Sequence, residues 1–394
     1  MDYKRYFLIE PNLKKPYGHV IEFPFVLQDF LKKHNTEVYV ICNKDIDKNL
    51  LGSLEDTHPF ITQGCFDDLY DEGNTYKNDL IELNEKFKFT DKDLLINLTS
   101  YTNQILGVAK YLKQNNINQP TFCLWFHQIY PPTKAFSETL SFAFQKQAYK
   151  NLSNAFNSIK GTNNVFIFTT SSEGLHDAYE DFSKRNVGKL PLPYSKINKY
   201  SKPISNKKFT LGFLGDGRYE KGLLLILEHI SKSKDYSNSY ILENIFPRGY
   251  SDSDLAKLDT LESEINISHI NVKFIKKPFS NQEYKNVFKQ IDAFLMPYHP
   301  KSYDKRVSGI FIEATMNEKP VIASSDTWMA EQIEKYGNGA TFDYRLGIKG
   351  LNNAIEKITL SINKFKENSI IASRQYNQIH SPDNFIKFLL KSIT

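Results

Sequence analysis

Ala293-Phe294-Leu295-Met296-Pro297, then Tyr298-His299-Pro300-Lys301-Ser302-Tyr303-Asp304-Lys305-Arg306-Val307, then Ser308-Gly309-Ile310-Phe311-Ile312-Glu313-Ala314-Thr315-Met316, then Pro320-Val321-Ile322-Ala323-Ser324 follow one another within residues 292–342. An apolar run, a polar loop, a helix-like stretch and a second apolar run make a parallel βαβ unit. Ser308 is a good N-cap and Gly309 lets the backbone come close to a ligand, so a helix is expected to start there with free amides pointing outward. Such an end attracts phosphate. Glu313 stands one turn further in among Ile310, Phe311, Ile312 and Ala314, where a solvated carboxylate is out of place. A partner should need its acceptor oxygens, and ribose hydroxyls are one candidate.

A second such unit opens near residue 209. Phe209-Thr210-Leu211-Gly212-Phe213-Leu214 reads as a strand, Gly215-Asp216-Gly217-Arg218-Tyr219-Glu220-Lys221-Gly222 as a turn, and Leu223-Leu224-Leu225-Ile226-Leu227 as a helix. Glycines at a strand-to-helix turn let the backbone approach a pyrophosphate, and Arg218 and Lys221 place charge where it would bind. The alternative is that these are solvated loop cations. The amino-terminal half opens alike. Tyr6-Phe7-Leu8-Ile9 is a buried strand, a loop runs to Gly18 and His19, a helix covers about 20–33, and Glu37-Val38-Tyr39-Val40-Ile41-Cys42 is the next strand. Strand, Gly-containing loop and helix again suggest a Rossmann-like half.

Between them, residues 43–91 are rich in Asp, Asn, Lys and Glu and are expected to be loops and exposed helix. Asp93-Leu94-Leu95-Ile96-Asn97-Leu98 and Thr121-Phe122-Cys123-Leu124-Trp125-Phe126 are strands, the latter running into His127, and a helix is expected over 137–154. A group at the carboxyl end of a parallel strand is where α/β folds place ligand contacts. His127 is therefore a site candidate, with a structural role as the alternative. Val165-Phe166-Ile167-Phe168-Thr169-Thr170 is another strand. Pro191-Leu192-Pro193 then stiffens the backbone ahead of a polar run without hydrophobic period, which places a domain boundary near 195–207. In the second half, 240–243 and 272–275 read as strands, 247–250 as a loop, and 381–394 as a last amphipathic helix. Asp252-Ser253-Asp254 is better explained by helix capping than by a metal, and no catalytic metal is expected.

Length and composition agree with two domains. The chain has 394 residues, 40% of them hydrophobic, and a formal charge of +5 from 50 basic and 45 acidic residues. That near balance argues against a dedicated nucleic-acid binder. Cys42, Cys65 and Cys123 are scattered, without the spacing of a zinc site or a disulfide framework. The amino terminus shows no signal-peptide core and no window reaches about eighteen apolar residues. A cytoplasmic protein is expected, with peripheral contact at the inner membrane face left open.

These motifs resemble the nucleotide-sugar site of retaining glycosyltransferases with two Rossmann-like domains, family 4. The family pattern is Glu, seven residues, Glu, then a small-residue turn and a Pro-Val-Ile strand. Glu313, Ala314 and Pro320-Val321-Ile322-Ala323-Ser324 match its second half, whereas Lys305 stands eight residues before Glu313 in place of the first Glu. Gly215, Lys221 and Gly222 fall at the family's Gly-Arg-x-x-x-x-Lys-Gly spacing, with Asp216 at the Arg position and Arg218 two residues later. Trp328 and Met329 occupy positions where relatives often have glycines.

The resemblance implies the GT-B fold, α/β with two domains facing across a cleft. Residues 1–200 would be the acceptor side, 201–375 the donor side, and 376–394 a helix crossing back. It implies metal-independent transfer of a sugar from a UDP-, GDP- or ADP-sugar, without a further cofactor, to a glycan, lipid-linked or small-molecule acceptor, as in surface glycan synthesis. His127, Arg218 and Lys221 become candidate catalytic residues. Gly18, His19, Gly215, Gly217, Tyr303, Arg306, Ser308, Gly309, Ile310 and Glu313 become candidate donor contacts. A non-catalytic scaffold that binds a sugar nucleotide, and an epimerase on the same fold, are the alternatives.

Overall fold

A computed structural model describes residues 3–15, 19–114, 119–133, 136–195, 208–233, 237–243 and 245–393. The chain folds into two units: residues 1–132, 142–195 and 380–394 form the first, and 133–141 with 196–379 the second. Of the expected linker 195–207, only Ser195 lies within the described residues.

The first unit is built on a seven-stranded parallel sheet. Its strands are β1 (Arg5–Glu10), β2 (Glu37–Asn43), β3 (Thr57–Ile61), β4 (Asp93–Asn97), β5 (Thr121–Phe126), β6 (Val165–Thr170) and β7 (Val187–Leu190), in the order β3-β2-β1-β4-β5-β6-β7. Strands β4 and β5 are buried along their whole length. A parallel sheet covered on both faces needs such near-continuous apolar runs, which is why Tyr6-Phe7-Leu8-Ile9 and Phe122-Cys123-Leu124-Trp125-Phe126 were legible as strands.

The stretch 43–91 is not the exposed, loosely patterned segment that its composition suggests. It holds β3 and the helix Asn74–Phe87, whose Tyr76, Leu80 and Leu83 join the hydrophobic core. These three residues keep a helical spacing of four and three. Abundant Asp and Asn around them hid it. The helix expected over 137–154 is two helices, Phe136–Thr139 and Phe142–Asn157.

The chain's last helix, Pro382–Ile393, belongs to the first unit. Phe385, Ile386 and Leu389 are buried, and the Phe385 ring meets Trp125 edge-on at 5.0 Å. Just before it, the Leu192 N–H donates to His380 Nδ1 at 3.1 Å. Burial lowers the His380 pKa to about 3, so the ring is neutral and can accept that bond.

The second unit has a six-stranded parallel sheet and a two-stranded one. In chain order the strands are β8 (Phe209–Phe213), β9 (Asp216–Arg218), β10 (Asn238–Glu243), β11 (Ile245–Arg248), β12 (Asn271–Ile275), β13 (Ala293–Met296), β14 (Val321–Ser324) and β15 (Gly339–Phe342). The larger sheet runs β12-β10-β8-β13-β14-β15, and β9 pairs with β11. The expected loop 247–250 thus begins inside β11. Asp252 and Asp254 lie in the first turn of the helix Asp252–Ile267, capped by Ser251. Residues 133–141 pack here: the Phe136 N–H donates to the Gly249 carbonyl at 3.0 Å, and its ring lies 5.0 Å from that of His299.

In both sheets the strand order reverses once, between β1 and β4 and between β8 and β13. Ligands of open α/β sheets collect outside the carboxyl ends of the strands at such a reversal.

Truncating Phe385 to Ala should remove the ring that closes the core around Trp125 and destabilise the first unit by about 3–5 kcal/mol. Urea denaturation followed by Trp125 fluorescence in a Trp328→Phe background should show a lower midpoint. An unchanged midpoint would contradict this packing.

Candidate functional site

The carboxyl ends of β8 and β13 are joined by two glycines. Gly222 has φ +77°, and a Cβ there would sit 2.1 Å from the Pro297 carbonyl oxygen that follows β13. Gly215 has φ +117°, and a Cβ there would sit 2.6 Å from Lys221 Nζ. Neither position tolerates a side chain, so the loop 214–222 closes tightly over the strand ends. The Gly215 N–H donates to the carboxylate of Glu243, the last residue of β10. Gly217 is buried within β9.

This loop carries a cluster of charge. Lys221 Nζ lies 2.6 Å from Asp216 Oδ1, Arg218 Nε donates to Asp216 at 3.0 Å, and Arg248 Nη2 approaches Asp216 Oδ2 at 2.6 Å. Arg218 also donates to Glu220 Oε1 at 2.8 Å and to the Tyr303 hydroxyl at 3.2 Å. Burial would raise the Asp216 pKa, but Lys221 and Arg218 hold it well below the usual carboxylate range. Burial likewise disfavours the Arg218 cation, and Tyr303, Asp216 and Glu220 together reverse that effect. Arg306 lies over the Tyr303 ring, 5.1 Å from its centroid, and 3.9 Å from Glu220. Residues 300–303, expected as loop, form a one-turn helix with Pro300 at its start, and this seats Tyr303 in the interior against Tyr298 at 4.6 Å.

The helix Gly309–Met316 begins where the sequence places it. Ser308 caps it, accepting from the Phe311 N–H at 3.3 Å. Its first-turn amides make the positive end of a helix. Ile310 lies 4.0 Å from where a Gly215 Cβ would stand, so the helix start and the glycine loop are neighbours. Glu313 is partly buried and accepts from the Tyr284 hydroxyl at 2.6 Å. Burial raises its pKa from 4.5 to about 7; Tyr284 opposes the shift and the charge of Glu243 adds to it. The partner that Glu313 needs is thus, in this structure, a tyrosine.

Gly215, Gly217, Arg218, Lys221, Tyr303, Arg306, Ser308, Gly309, Ile310 and Glu313 all lie in the second unit, most of them gathered around the β8 and β13 ends. His127 follows β5 in the first unit; its Nε2 is 2.7 Å from the Leu98 carbonyl and its ring 4.4 Å from Trp125. Gly18 lies outside the described residues, and His19 opens the helix His19–Lys33. Sequence reasoning missed Glu220, Glu243, Arg248 and Tyr284. Glu243 had a signal: a carboxylate ending the apolar run Tyr240-Ile241-Leu242 is as out of place as Glu313 in its helix. The three-residue set Glu173, His176 and Asp177 has metal-ligand geometry but is largely exposed.

Residues 195–375 match the family model for glycosyl transferases group 1. The chain carries a glycosyl transferases group 1 domain. The group 1 domain spans the glycine loop, the charge cluster and Glu313. Among solved structures, a sucrose-phosphate synthase from Thermosynechococcus elongatus is similar over 98% of both chains, with a TM-score of 0.72 at 14% identity. HepE (Alr3699) of Anabaena in complex with UDP and glucose is similar over 99% of both, with a TM-score of 0.69 at 14% identity. WaaG, a glycosyltransferase involved in lipopolysaccharide biosynthesis, covers 96% of this chain and 97% of its own, with a TM-score of 0.61 at 12% identity. The fold that the group 1 domain completes is therefore GT-B, two Rossmann-like domains. No curated protein sequence matches the chain. Among the described residues no helix is long and apolar enough to cross a membrane.

Because the Glu313 pKa is raised from 4.5 to about 7, folding favours its protonated form. The stability this gives is complete below about pH 4.5 and is lost as pH rises through 7. Glu313→Gln should therefore flatten the pH dependence of the second unit's unfolding and stabilise it at pH 8, by about 3 kcal/mol. Denaturation followed by Trp328 fluorescence in a Trp125→Phe background reads this. Parallel pH profiles for mutant and parent would contradict it.

Proposed function

We propose that the chain is a retaining glycosyltransferase that moves a sugar from a nucleoside diphosphate sugar to a hydroxyl of a glycan, lipid-linked or small-molecule acceptor. One observation carries the reading: within a group 1 domain, Lys221, Arg218, the Gly215 backbone and the start of the helix Gly309–Met316 converge at the ends of β8 and β13. That is a site for a diphosphate, since cations, a close-lying glycine backbone and a helix start all favour an anion.

The transition state of such a transfer separates charge. The sugar becomes oxocarbenium-like while negative charge collects on the departing diphosphate. Lys221 and Arg218, held in a partly buried cluster, are positioned to take up that charge together with first-turn amides near Ile310. Protein cations then do what a divalent ion does elsewhere. Glu313 is proposed to exchange its Tyr284 bond for ribose hydroxyls, with Tyr303 and Arg306 flanking the donor. Gly217, Ser308 and Gly309 shape the pocket. For the first unit, His127 is proposed as a sugar-contacting group and Gly18 and His19 as further contacts. HepE was solved with UDP and glucose, which makes a UDP-sugar the first donor to try. WaaG's involvement in lipopolysaccharide biosynthesis supports a surface glycan as the product.

A second reading, a sugar-nucleotide-binding scaffold without turnover, draws on the neutralisation of Lys221 by Asp216. Nucleotide release from a panel of UDP-, GDP- and ADP-sugars separates the two. Slow hydrolysis of one donor is expected of the enzyme; binding without release of any would favour the scaffold. With the active donor, Lys221→Ala should lower turnover on the order of 10²–10³-fold, about 3–4 kcal/mol, with an unchanged circular dichroism spectrum. Parental turnover in the folded mutant would remove Lys221 from the mechanism.

A further inference from the structure

Asp216 has an unusual place in the charge cluster. Its carboxylate touches Lys221 at 2.6 Å, Arg218 at 3.0 Å and Arg248 at 2.6 Å, so one anion holds three cations. The three do not depend on it equally. Arg218 keeps Glu220 and Tyr303 as further acceptors at 2.8 and 3.2 Å. Lys221 makes its ion pair, among the described residues, with Asp216. The residue belongs to β9, which among the described residues pairs only with the short strand β11, through a register shift, and not with the six-stranded sheet. Asp216 can therefore yield its partners without opening the core. Lys221 is also the cation at Gly215, its Nζ 2.6 Å from where a Cβ there would stand.

We propose that Asp216 is an internal counter-anion for the donor's diphosphate: it occupies Lys221 in the ligand-free protein, gives the ammonium up to the incoming diphosphate, and retakes it as the nucleoside diphosphate leaves. The inference rests on the donor-site reading given above. A carboxylate a few ångströms from a bound diphosphate repels it, by on the order of tenfold or more in affinity at the effective dielectric of a partly buried site. Such a difference within one site falls mainly on the dissociation rate. Asp216 thus makes the product easier to release. A residue that merely propped Lys221 in place would act in the opposite sense, because its removal would loosen the ammonium and weaken binding. The sign of the effect decides between the roles.

The test is titration calorimetry of inorganic pyrophosphate, UDP, GDP and ADP against the full chain and its Asp216→Asn variant, with dissociation of the tightest nucleotide followed by stopped flow. The variant should bind pyrophosphate and that nucleotide on the order of tenfold more tightly, with slower dissociation and stronger product inhibition. Equal or weaker binding by the variant, where the parent binds, overturns the counter-anion role alone. Absence of binding by both proteins to every probe overturns the donor site and this role with it. Should Asp216→Asn fail to fold, Asp216→Ser is measured in the same way, with the same two readings.

Discussion

Arg218, Lys221, Arg248 and Arg306 crowd against Asp216 and Glu220 at the carboxyl end of the second unit's sheet, and the rest of the site is arranged to keep them there. Taking such groups partly out of water is costly unless each charge finds a partner at good geometry. The loop supplies those partners within a few residues of one another, and Tyr303 supplies one more from across the strand ends. The conformations of Gly215 and Gly222 follow from the same need. Each lets the chain pass where a Cβ would collide, one with Lys221 and the other with the backbone after β13.

The position of the cluster follows from topology. Strand order reverses between β8 and β13, so the segments leaving these strands diverge to opposite faces and leave room for a ligand. Gly215 leaves one strand and Tyr298 follows the other. The helix Gly309–Met316 then turns its amino end back toward Gly215, with Ile310 as the point of contact. Glu243 and Glu313 place two further carboxyls, each with its pKa raised by burial, beside the cationic loop. In the proposed donor site, cations and amides would face the diphosphate, and these carboxyls its hydroxyl donors.

Much of this was legible in the sequence because its signals are local. Ser308 before an apolar helix, a Pro-Val-Ile strand, and glycines between Phe213 and Leu223 each announce their structure within a few residues. The partners from outside the loop were not legible, because they join distant positions. Tyr284 is 29 residues from Glu313, Tyr303 is 85 from Arg218, and Arg248 is 32 from Asp216. Composition misled at residues 43–91, where Asp and Asn surround a helix that still buries Tyr76, Leu80 and Leu83. At 300–303 a proline that reads as a loop signal starts a short helix instead.

The proposed function requires that a nucleoside diphosphate bind over the glycine loop and the helix start of the second unit. Hydrogen–deuterium exchange of the backbone amides, in the presence and absence of UDP, GDP and ADP in turn, tests it most directly. One of these nucleotides is expected to slow exchange at residues 214–222 and 308–313. Slowing confined to the first unit, or none with any of the three, would contradict it.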